Sequence, residues 1–276
     1  ASQWAGFAPL SGIPGTVGAA PVQNIGAYGA EVAELIASVR AWDRLRNRVV
    51  WLALGELGLA YRDSRLKQSL TDAEVGGGRL WGPTGRWVVL DATFAVRQGS
   101  LSSRVAYSQL AGALGVELGE RVPERELREA VLKLRRSKGM VLDGVDHDTW
   151  SAGSFFTNPI LTEDQAVSLP EDAPRFPVTD HSQVVLGTKE APVIEGLVKT
   201  SAAWLIDHAG FTKGFTVEPG APAGLSTKHV LALTNRGGAT GADLARLRDE
   251  VVAGVRERYG VTLTPEPVQV GFQDLS

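Results

Sequence analysis

The sequence contains no cysteine among its 276 residues. This absence excludes disulfides, cysteine nucleophiles, thiolate metal sites and iron–sulfur clusters, and it is typical of a protein in a reducing compartment. No run of about 18 apolar residues is present, which excludes a membrane-spanning helix. The sequence shows no basic segment followed by an apolar one, so it contains no visible export signal. Because the net charge is only -3, no basic field favours nucleic acid or an anionic membrane. We therefore expect a small-molecule site in which a few placed cations hold any anionic ligand.

Methionine is nearly absent as well. The single methionine is Met140, and the chain opens at Ala1 on a loop-like segment. We therefore expect that an N-terminal piece is missing, and the sequence leaves open whether processing or the choice of polypeptide removed it. With 43% hydrophobic and 21% charged residues, the chain has the composition of a soluble globular protein large enough for two domains.

Residues 12–29 are dense in glycine and small residues and include lone amides. Glycine adopts positive φ angles without steric cost, and its missing Cβ lets backbone N–H groups approach a phosphate or a flat ring. Pro14 and Pro21 stiffen the stretch, and no helical or strand period runs through it. The stretch is therefore predicted to be a ligand-binding loop, and the alternative is a structural loop between buried strands.

The hydrophobic pattern predicts an α+β protein with a domain boundary near residue 140. A hairpin is expected over 31–54, and a second strand pair is expected to turn at the glycines of 76–78, with 87–96 as its later arm. Helices are expected from Pro123 to Gly139, from Ser201 to Ala209, and from Thr240 to Tyr259, where Asp243 completes a capping box. An extended, edge-like segment is expected over 261–270.

Three side chains are candidates for chemistry. Arg62 lies in a mixed cluster of cations, an aromatic ring and a hydroxyl, and its planar fork suits a carboxylate. Ser154 lies between a flexible lead and two phenylalanines, where a hydroxyl could donate a proton. Glu266 stands between two prolines that hold its backbone stiff. The alternatives are a solvated turn for Arg62, a turn or helix-cap serine, and a surface glutamate.

Metal and nucleotide motifs are not found. Asp146, His147 and Asp148 are adjacent loop residues that need a further ligand to hold an ion, and the other histidines, among them His181, are dispersed. No phosphate loop and no Gly-x-Gly-x-x-Gly after a strand occurs. We expect no bound metal, no NTPase and no Rossmann domain.

Several ordered segments together resemble the UDP-N-acetylenolpyruvoylglucosamine reductase family. The resemblance runs from Leu10 to Gly271, and the segments that carry it are Ser11–Gly15, Gln23–Gly29, Tyr61–Ser64, Ala152–Pro159, Trp204–Asp207, Lys213–Gly214 and Pro265–Val268. The resemblance implies an FAD-binding domain of the vanillyl-alcohol-oxidase (PCMH) type followed by an α+β substrate-binding domain. The family's upstream Gly-Gly-Gly-Ser-Asn segment has no match, so the FAD-binding domain is expected to be N-terminally incomplete. The domain limits expected are 1–139, 140–260 and a C-terminal segment, 261–276, that carries Glu266.

The family's chemistry is reduction of the enolpyruvyl ether of UDP-N-acetylglucosamine by NADPH through FAD, giving UDP-N-acetylmuramate for peptidoglycan. Hydride passes from flavin N5 to C3, and C2 is protonated afterwards. By resemblance Ser154 is the proton donor, while Arg62 and Glu266 bind and polarise the substrate carboxylate. Glu266 would act in its protonated form or through a bridging hydrogen bond. A cytoplasmic monomer that supports cell-wall synthesis, cell shape and division is implied.

The resemblance also assigns binding residues. The flavin-cradling residues are Gly12, Pro14, Gly15, Gly18, Ala19, Ala20, Gln23, Gly26 and Ala27. The substrate contacts are Tyr28, Tyr107, Lys138, Asn158 and Lys213, with Tyr107 and the two lysines near the diphosphate or nucleotide. Two alternatives stay open: another flavoprotein with a different acceptor, and an inert, truncated remnant that binds a UDP-sugar without flavin.

Overall fold

The computed structural model describes residues 4–180 and 192–271. They form two compact units: the first is residues 4–134 with 180, 192 and 269–271, and the second is residues 135–179 with 193–268. The three domain limits expected from the sequence stay a prediction, because a compact unit need not coincide with a functional domain.

The first unit contains seven strands and five helices. The strands are β1 (Trp4–Ala5), β2 (Gly26–Ala27), β3 (Ala30–Glu31), β4 (Ile36–Asp43), β5 (Arg48–Ala53), β6 (Trp87–Phe94) and β7 (Arg97–Gln98). The helices are α1 (Ala20–Gln23), α2 (Arg65–Gln68), α3 (Ala73–Gly76), α4 (Ser108–Leu114) and α5 (Glu124–Ser137). Single 3₁₀ turns occur at Ala8–Leu10, Val17–Ala19, Val32–Glu34 and Leu54–Glu56.

A three-stranded antiparallel sheet, in the order β5-β4-β6, is the centre of the first unit. β4 and β5 pair from Ser38↔Ala53 to Asp43↔Arg48, so the hairpin predicted over 31–54 is confirmed. The inward side chains of β4, Ile36, Val39 and Ala41, are fully buried. Burial alternates from Val39 onward, and the register shift between Ile36 and Ser38 accounts for the three-residue step from Ile36 to Val39.

The strand pair predicted around the three glycines is wrong, although its later arm, β6, is confirmed. Gly76 ends helix α3, and Gly77 caps it with a left-handed φ of 76°. Asp72 begins this helix by accepting hydrogen bonds from the N–H groups of Glu74 and Val75. β6 pairs with β4 instead. The glycines thus end a helix that Asp72 caps, and the predicted hairpin partner of β6 is replaced by the distant strand β4.

The glycine-rich stretch contains more regular structure than predicted. Its middle is helical, since a 3₁₀ turn over Val17–Ala19 leads into α1, where Pro21 occupies the first turn. Asn24 ends α1 with a left-handed φ of 42°, and β2 then pairs with β3. Only part of residues 12–29 is therefore an irregular loop, because the remainder forms the 3₁₀ turn, α1 and β2.

Helix α5 confirms the helix predicted from Pro123. Leu127 and Val131 are buried on one face, and Gly139, with φ 67°, follows the last turn. At its start the Glu124 carboxylate accepts hydrogen bonds from the N–H groups of Gly6 and Ala8, at 3.0 and 3.1 Å. Local patterning was sufficient here because one apolar face recurs at helical spacing.

The second unit contains five strands and three helices. The strands are β8 (Ile160–Thr162), β9 (Arg175–Thr179), β10 (Val193–Thr200), β11 (Ala223–Leu225) and β12 (Leu233–Asn235), and the helices are α6 (Glu163–Val167), α7 (Ala202–His208) and α8 (Gly241–Tyr259). β10 lies between β8 and β9, and β11 pairs with β12. A 3₁₀ turn covers His147–Thr149.

Helices α7 and α8 confirm the two helices predicted after residue 200. The Ser201 hydroxyl caps α7 by accepting from the N–H of Trp204. Thr240 and Asp243 form the predicted capping box of α8, and Gly260 ends it at φ 68°. The buried side chains of α7 and α8 share one apolar core with β11 and β12. No helix in the described ranges is long and apolar enough to cross a membrane.

Candidate functional site

Arg62 is held in place by the glycine-rich stretch. It has a left-handed φ of 53°, which is uncommon for a side-chain-bearing residue. Its Nη2 donates to the carbonyl of Gly26 at 2.6 Å, its Nη1 donates to the carbonyl of Asn24 at 3.4 Å, and the Glu31 carboxylate lies 3.9 Å away. Only 18% of the side chain is exposed, so Arg62 is not the solvated cation of the alternative.

Asn24 and Glu31 are the residues of this site that sequence reasoning did not single out. The fully buried Asn24 amide donates to Glu31 Oε2 at 2.8 Å and to the Ala60 carbonyl at 2.9 Å, and its Oδ1 accepts from Ala33 at 3.0 Å. Asn24 therefore connects the end of β3 to the turn that carries Arg62. The residues next to Asn24 in the sequence, Gln23 and Ile25, do not indicate these contacts.

Replacing Gly26 by alanine is expected to destabilise the protein by about 1–3 kcal/mol, because an added methyl group overpacks this site. A Cβ at Gly26 would lie 2.8 Å from Glu31 Cγ, 2.9 Å from Arg62 Nη1 and 3.0 Å from the Ala30 carbonyl. The free energy of unfolding in urea measures the effect. Gly55→Ala is the matched control, because a Cβ there meets nothing within 4 Å. Equal stabilities of the two variants would contradict the prediction.

The flavin-cradling residues assigned by resemblance differ in exposure. Gly12, Pro14, Gly15 and Ala19 are exposed, Gly18, Gln23, Gly26 and Ala27 are partly buried, and Ala20 is buried. The N–H groups of residues 15–18 donate no hydrogen bond to the part of the chain that the structure describes. Gly15 has φ 109°, with open space where a Cβ would be. A run of accessible N–H donors fits an anionic group such as a flavin diphosphate.

Two tyrosines assigned to the substrate lie together in the first unit. The rings of Tyr28 and Tyr107 pack edge to face with centroids 5.5 Å apart. Tyr28 has a left-handed φ of 52°, and Gly29 approaches Ala106 so closely that an added Cβ would lie 3.0 Å from its Cβ. This packing connects the segment that carries Tyr28 to the one that carries Tyr107.

In the second unit, the backbone brings the segments of Ser154 and Glu266 together. Phe156 forms an antiparallel bridge with Pro265, the Thr157 N–H donates to the Thr264 carbonyl at 3.0 Å, and the Glu266 N–H donates to the Phe155 carbonyl at 2.8 Å. On the other side, the Phe155 N–H donates to the Leu231 carbonyl at 2.7 Å. The segment of Ser154 thus lies between residues 264–266 and the turn at Leu231.

Ser154 is not a helix cap. It lies on a bend after Gly153, which has φ 83°, and its side chain is partly buried. Its hydroxyl makes no hydrogen bond within residues 4–180 and 192–271. Because the Ser154 hydroxyl donates to no other described residue, its proton is available to a ligand.

Asn158 has a structural contact that the sequence did not reveal. Its Oδ1 accepts a hydrogen bond from the Ala202 N–H at 3.0 Å, so it supports the start of α7 beside Ser201. Its assignment as a substrate contact stays a prediction.

The charges of Lys138 and Lys213 both act on His229. Burial, followed by the charge of Arg135, lowers the pKa of Lys138. Burial, followed by the charges of Lys138 and Lys213, lowers the pKa of His229 to about 4. The sequence analysis counted His229 only among the dispersed histidines, because nothing in its neighbours predicts that the charges of two distant lysines act on it.

The Asp146–Asp148 segment is used for internal bonds. Asp146 pairs with Lys228, and Asp148 pairs with Arg236 at 3.0 Å and accepts from the Thr227 N–H at 2.8 Å. In the parts of the chain that the structure describes, no group of three or more histidine, aspartate or glutamate side chains could hold a metal ion. His181 lies outside the described residues.

The site residues are thus divided between the units. Arg62, Tyr28, Tyr107 and the glycine-rich stretch belong to the first unit. Ser154, Glu266, Asn158, Lys138 and Lys213 belong to the second. Their roles in binding and catalysis stay predictions.

Comparisons with known proteins point in one direction. The family model for the C-terminal domain of UDP-N-acetylenolpyruvoylglucosamine reductase matches residues 145–270. The UDP-N-acetylenolpyruvoylglucosamine reductase of Cutibacterium acnes is 50% identical over 269 residues, which are 98% of this chain and 63% of that protein. Those of Streptomyces coelicolor and Thermobifida fusca are 50% and 48% identical, over 97% and 96% of this chain and 64% and 68% of their own lengths.

A solved structure supports the fold alone. The crystal structure of UDP-N-acetylenolpyruvylglucosamine reductase (MurB) from Thermus caldophilus aligns with a TM-score of 0.52 and 20% identity, over 96% of this chain and 64% of that one. The chain spans just under two thirds of the length of the first two relatives. The resemblance seen in the sequence is confirmed, and the chain belongs to the UDP-N-acetylenolpyruvoylglucosamine reductase family.

Proposed function

We propose that this chain reduces the enolpyruvyl ether of UDP-N-acetylglucosamine to UDP-N-acetylmuramate, with NADPH as reductant, in peptidoglycan synthesis. The reaction adds one hydride and one proton across the enolpyruvyl double bond and yields NADP⁺. The observation that carries the proposal is the 48% identity to the Thermobifida fusca reductase across 68% of its length. The low net charge and the lack of cysteine agree with a cytoplasmic, small-molecule enzyme, which we propose acts as a monomer.

We propose that residues 12–27 hold FAD, as part of a domain of the vanillyl-alcohol-oxidase type. When bound, FAD would take a hydride from NADPH and supply one to the enolpyruvyl group. The accessible N–H groups of residues 15–18 support this assignment, because they can donate to the diphosphate of the cofactor. Ala20 and Gln23 would contribute through the position of α1 next to the exposed turn.

Ser154 is the proposed proton donor to C2 of the enolpyruvyl group. Negative charge grows on the substrate carboxylate as the hydride arrives, and Arg62 is proposed to bind that carboxylate. Because neighbouring carbonyls hold its guanidinium in one orientation, Arg62 would stabilise this charge without reorganising. Glu266 is proposed to polarise the same carboxylate, and Pro265 and Pro267 limit the conformations of its backbone.

The substrate is proposed to contact Tyr28, Tyr107 and Asn158, and its diphosphate to contact Lys138 and Lys213. The support for the lysines is that the charges of both contribute to the lowered pKa of His229. Two cations on a slightly acidic chain are what a single anionic group requires.

The experiment uses the purified chain with added FAD and NADPH. We expect NADPH absorbance to fall when UDP-N-acetylglucosamine enolpyruvate is added, with UDP-N-acetylmuramate identified by mass spectrometry. Flavin absorbance of the desalted protein reports separately whether FAD is retained. A chain that retains FAD and leaves the substrate unchanged would contradict the proposal.

A binding module without flavin is the second candidate. The observation that favours it is that Lys138, Lys213 and His229 all belong to the second unit, apart from the glycine-rich stretch. This candidate predicts that the chain binds a UDP-sugar, while the desalted protein shows no flavin absorbance after incubation with FAD. It would be excluded by turnover.

A further inference from the structure

A cavity of about 450 Å³ lies in the first unit, at the turn end of the β4–β5 hairpin. Its wall is formed by β5, by Arg65 at the start of α2 and by Trp87 at the start of β6. The volume falls within the range of small-molecule sites, about 300–1,000 Å³. The family resemblance assigns none of the lining residues to flavin or substrate, so this cavity has no role in the proposed reduction.

The register of the sheet brings charged side chains to this cavity. Asp43, at the end of β4, pairs with Arg48 on β5 and with Trp87 on β6. The Arg65 guanidinium lies 5.4 Å from the centroid of the Trp87 ring, and that of Arg86 lies 4.4 Å from the same centroid. One row across the three strands, together with the first residue of α2, thus forms a single cationic wall.

Two of the arginines in this wall have no carboxylate partner. Asp43 pairs with Arg86 at 2.7 Å and with Arg46 at 3.8 Å, so these two cations share one carboxylate. Arg48 and Arg65 also line the cavity, and their guanidinium groups form no ion pair and no hydrogen bond within residues 4–180 and 192–271. Two guanidinium groups are therefore available to an anion.

An apolar rim borders the cationic wall. Trp51 and Val49 line the cavity from β5, yet their side chains are 61% and 44% exposed. β5 is an edge strand of its sheet, so its free edge leaves this side of the cavity open to a ligand. Covering large apolar side chains with a ligand removes them from water, which favours binding. The rim is thus suited to the organic part of an anionic ligand.

We propose that this cavity binds a small aromatic phosphate monoester, with the phosphate between Arg48 and Arg65 and the ring against Trp51. A phosphate monoester carries close to two negative charges at neutral pH, which match two guanidinium groups. Each guanidinium can donate two parallel N–H bonds to phosphate oxygens. An aromatic ring gains further contact by packing against the indole.

Glu56 opposes the anion and provides a check on its position. It lines the cavity, its carboxylate accepts a hydrogen bond from the Ala53 N–H at 2.9 Å, and it forms no ion pair in the described part of the chain. Its negative charge weakens the binding of a phosphate nearby. We expect Glu56→Gln to bind an aromatic phosphate roughly two- to fivefold more tightly than wild type, because the repulsion is removed.

The test is calorimetric titration of the full chain with phenyl phosphate. We expect wild type to bind with a dissociation constant on the order of 1 mM or lower. Arg48→Gln and Arg65→Gln should each weaken binding about tenfold, which is the effect of losing one charged hydrogen-bond donor. Arg128→Gln is the matched control: Arg128 is an exposed arginine of α5, has no ion pair among the described residues and lies outside the cavity lining, so binding should not change.

Two related ligands separate the contributions of charge and ring. Phenyl sulfate has the same ring and a single negative charge, and we expect it to bind about tenfold more weakly than phenyl phosphate. Methyl phosphate keeps the charge and lacks the ring. We expect it to bind more weakly than phenyl phosphate to wild type, and Trp51→Ala should remove this difference. Urea unfolding at the wild-type midpoint shows that each variant is folded.

Three results would overturn the proposal. The first is no detectable binding of millimolar phenyl phosphate, and the second is equal affinity of wild type, Arg48→Gln and Arg65→Gln. The third is competition: saturating UDP-N-acetylglucosamine should leave the binding of phenyl phosphate unchanged, and displacement would place the phosphate in the proposed substrate site. None of these results bears on the reductase activity, which the NADPH assay measures separately.

Discussion

Replacing Ser154 by alanine should lower the rate of UDP-N-acetylmuramate formation by roughly a hundredfold to ten-thousandfold, which is the range that general acids contribute. The substitution removes the only proton-bearing group of the side chain, and the bend at 153–154 and its backbone pairing stay intact. Hydride arrival without a placed proton donor leaves C2 to be protonated by water. Product formation followed by mass spectrometry gives the rate.

The readouts distinguish a lost donor from a lost fold. Binding of UDP-N-acetylglucosamine and the slow, substrate-independent oxidation of NADPH should stay within about twofold of wild type, because neither uses the Ser154 proton. Ser168→Ala is the matched control, since Ser168 is an exposed serine of the same unit whose hydroxyl only donates to the Gln165 carbonyl. A Ser154→Ala protein that forms product at the wild-type rate would remove Ser154 from the mechanism.

Replacing Arg86 by methionine should destabilise the first unit by about 3–5 kcal/mol, because it removes the buried cation that faces a buried carboxylate and leaves the more exposed Arg46, 3.8 Å away, to pair with it. Asp43 and Arg86 form a two-pronged pair, with Nη2 to Oδ2 at 2.7 Å and Nε to Oδ1 at 3.0 Å. Their side chains are only 1% and 7% exposed, so water cannot replace the lost partner. The free energy of urea unfolding, followed by tryptophan fluorescence, measures the loss.

A second ion pair of the same sheet provides the control. Arg40 lies on β4, as Asp43 does, and Asp91 lies on β6, but their side chains are 43% and 40% exposed. Arg40→Met should therefore cost less than about 1 kcal/mol. If both methionine variants lose the same stability, burial does not decide the strength of these pairs and the prediction fails.

The Asp43–Arg86 pair also contributes a pH dependence. Burial by itself raises the pKa of Asp43, but hydrogen bonds from Arg86 and from the backbone of Arg46 and Leu45 outweigh it, and the pKa is lowered. Stability from this carboxylate is therefore fully present above its unfolded pKa of about 3.9, and it is lost as the pH falls through the lower folded value. The Asp43→Asn variant should be less stable than wild type at neutral pH. It should also lose less stability than wild type as the pH falls from the unfolded pKa of Asp43 to its lower folded pKa.

Local signals in the sequence predicted the helices and the first hairpin. Thr240 and Asp243 cap α8 through bonds that span three residues, and Leu247 and Val251 repeat on one face, so neighbours along the chain determine the helix. The glycines of 76–78 misled the prediction because Gly77 can end a helix as readily as it can form a turn. The pairing of β6 with β4 joins segments about fifty residues apart, and no local pattern records it.

The candidate site was predictable in part. Family motifs indicated Arg62, Ser154 and Glu266, since the residues around each are distinctive in order. His229 and Glu31 were missed because their importance comes from their surroundings in the folded chain: the charges of two lysines from distant segments in one case, and the Asn24 amide in the other. A motif can name a reactive group, whereas its electrostatic surroundings are a property of the folded chain.

The pairing of residues 155–157 with residues 264–266 has a consequence for synthesis on the ribosome. Thr157 and Thr264 are 107 positions apart, so the strand partner of the Ser154 segment is made only after nearly all of the second unit. Until Thr264 emerges from the exit tunnel, residues 155–157 cannot form their backbone hydrogen bonds to residues 264–266. A nascent chain can form α7 from local contacts well before it can place Glu266 beside Phe155. Ribosome-bound chains released before residue 264 would therefore carry Ser154 without its neighbouring carboxylate.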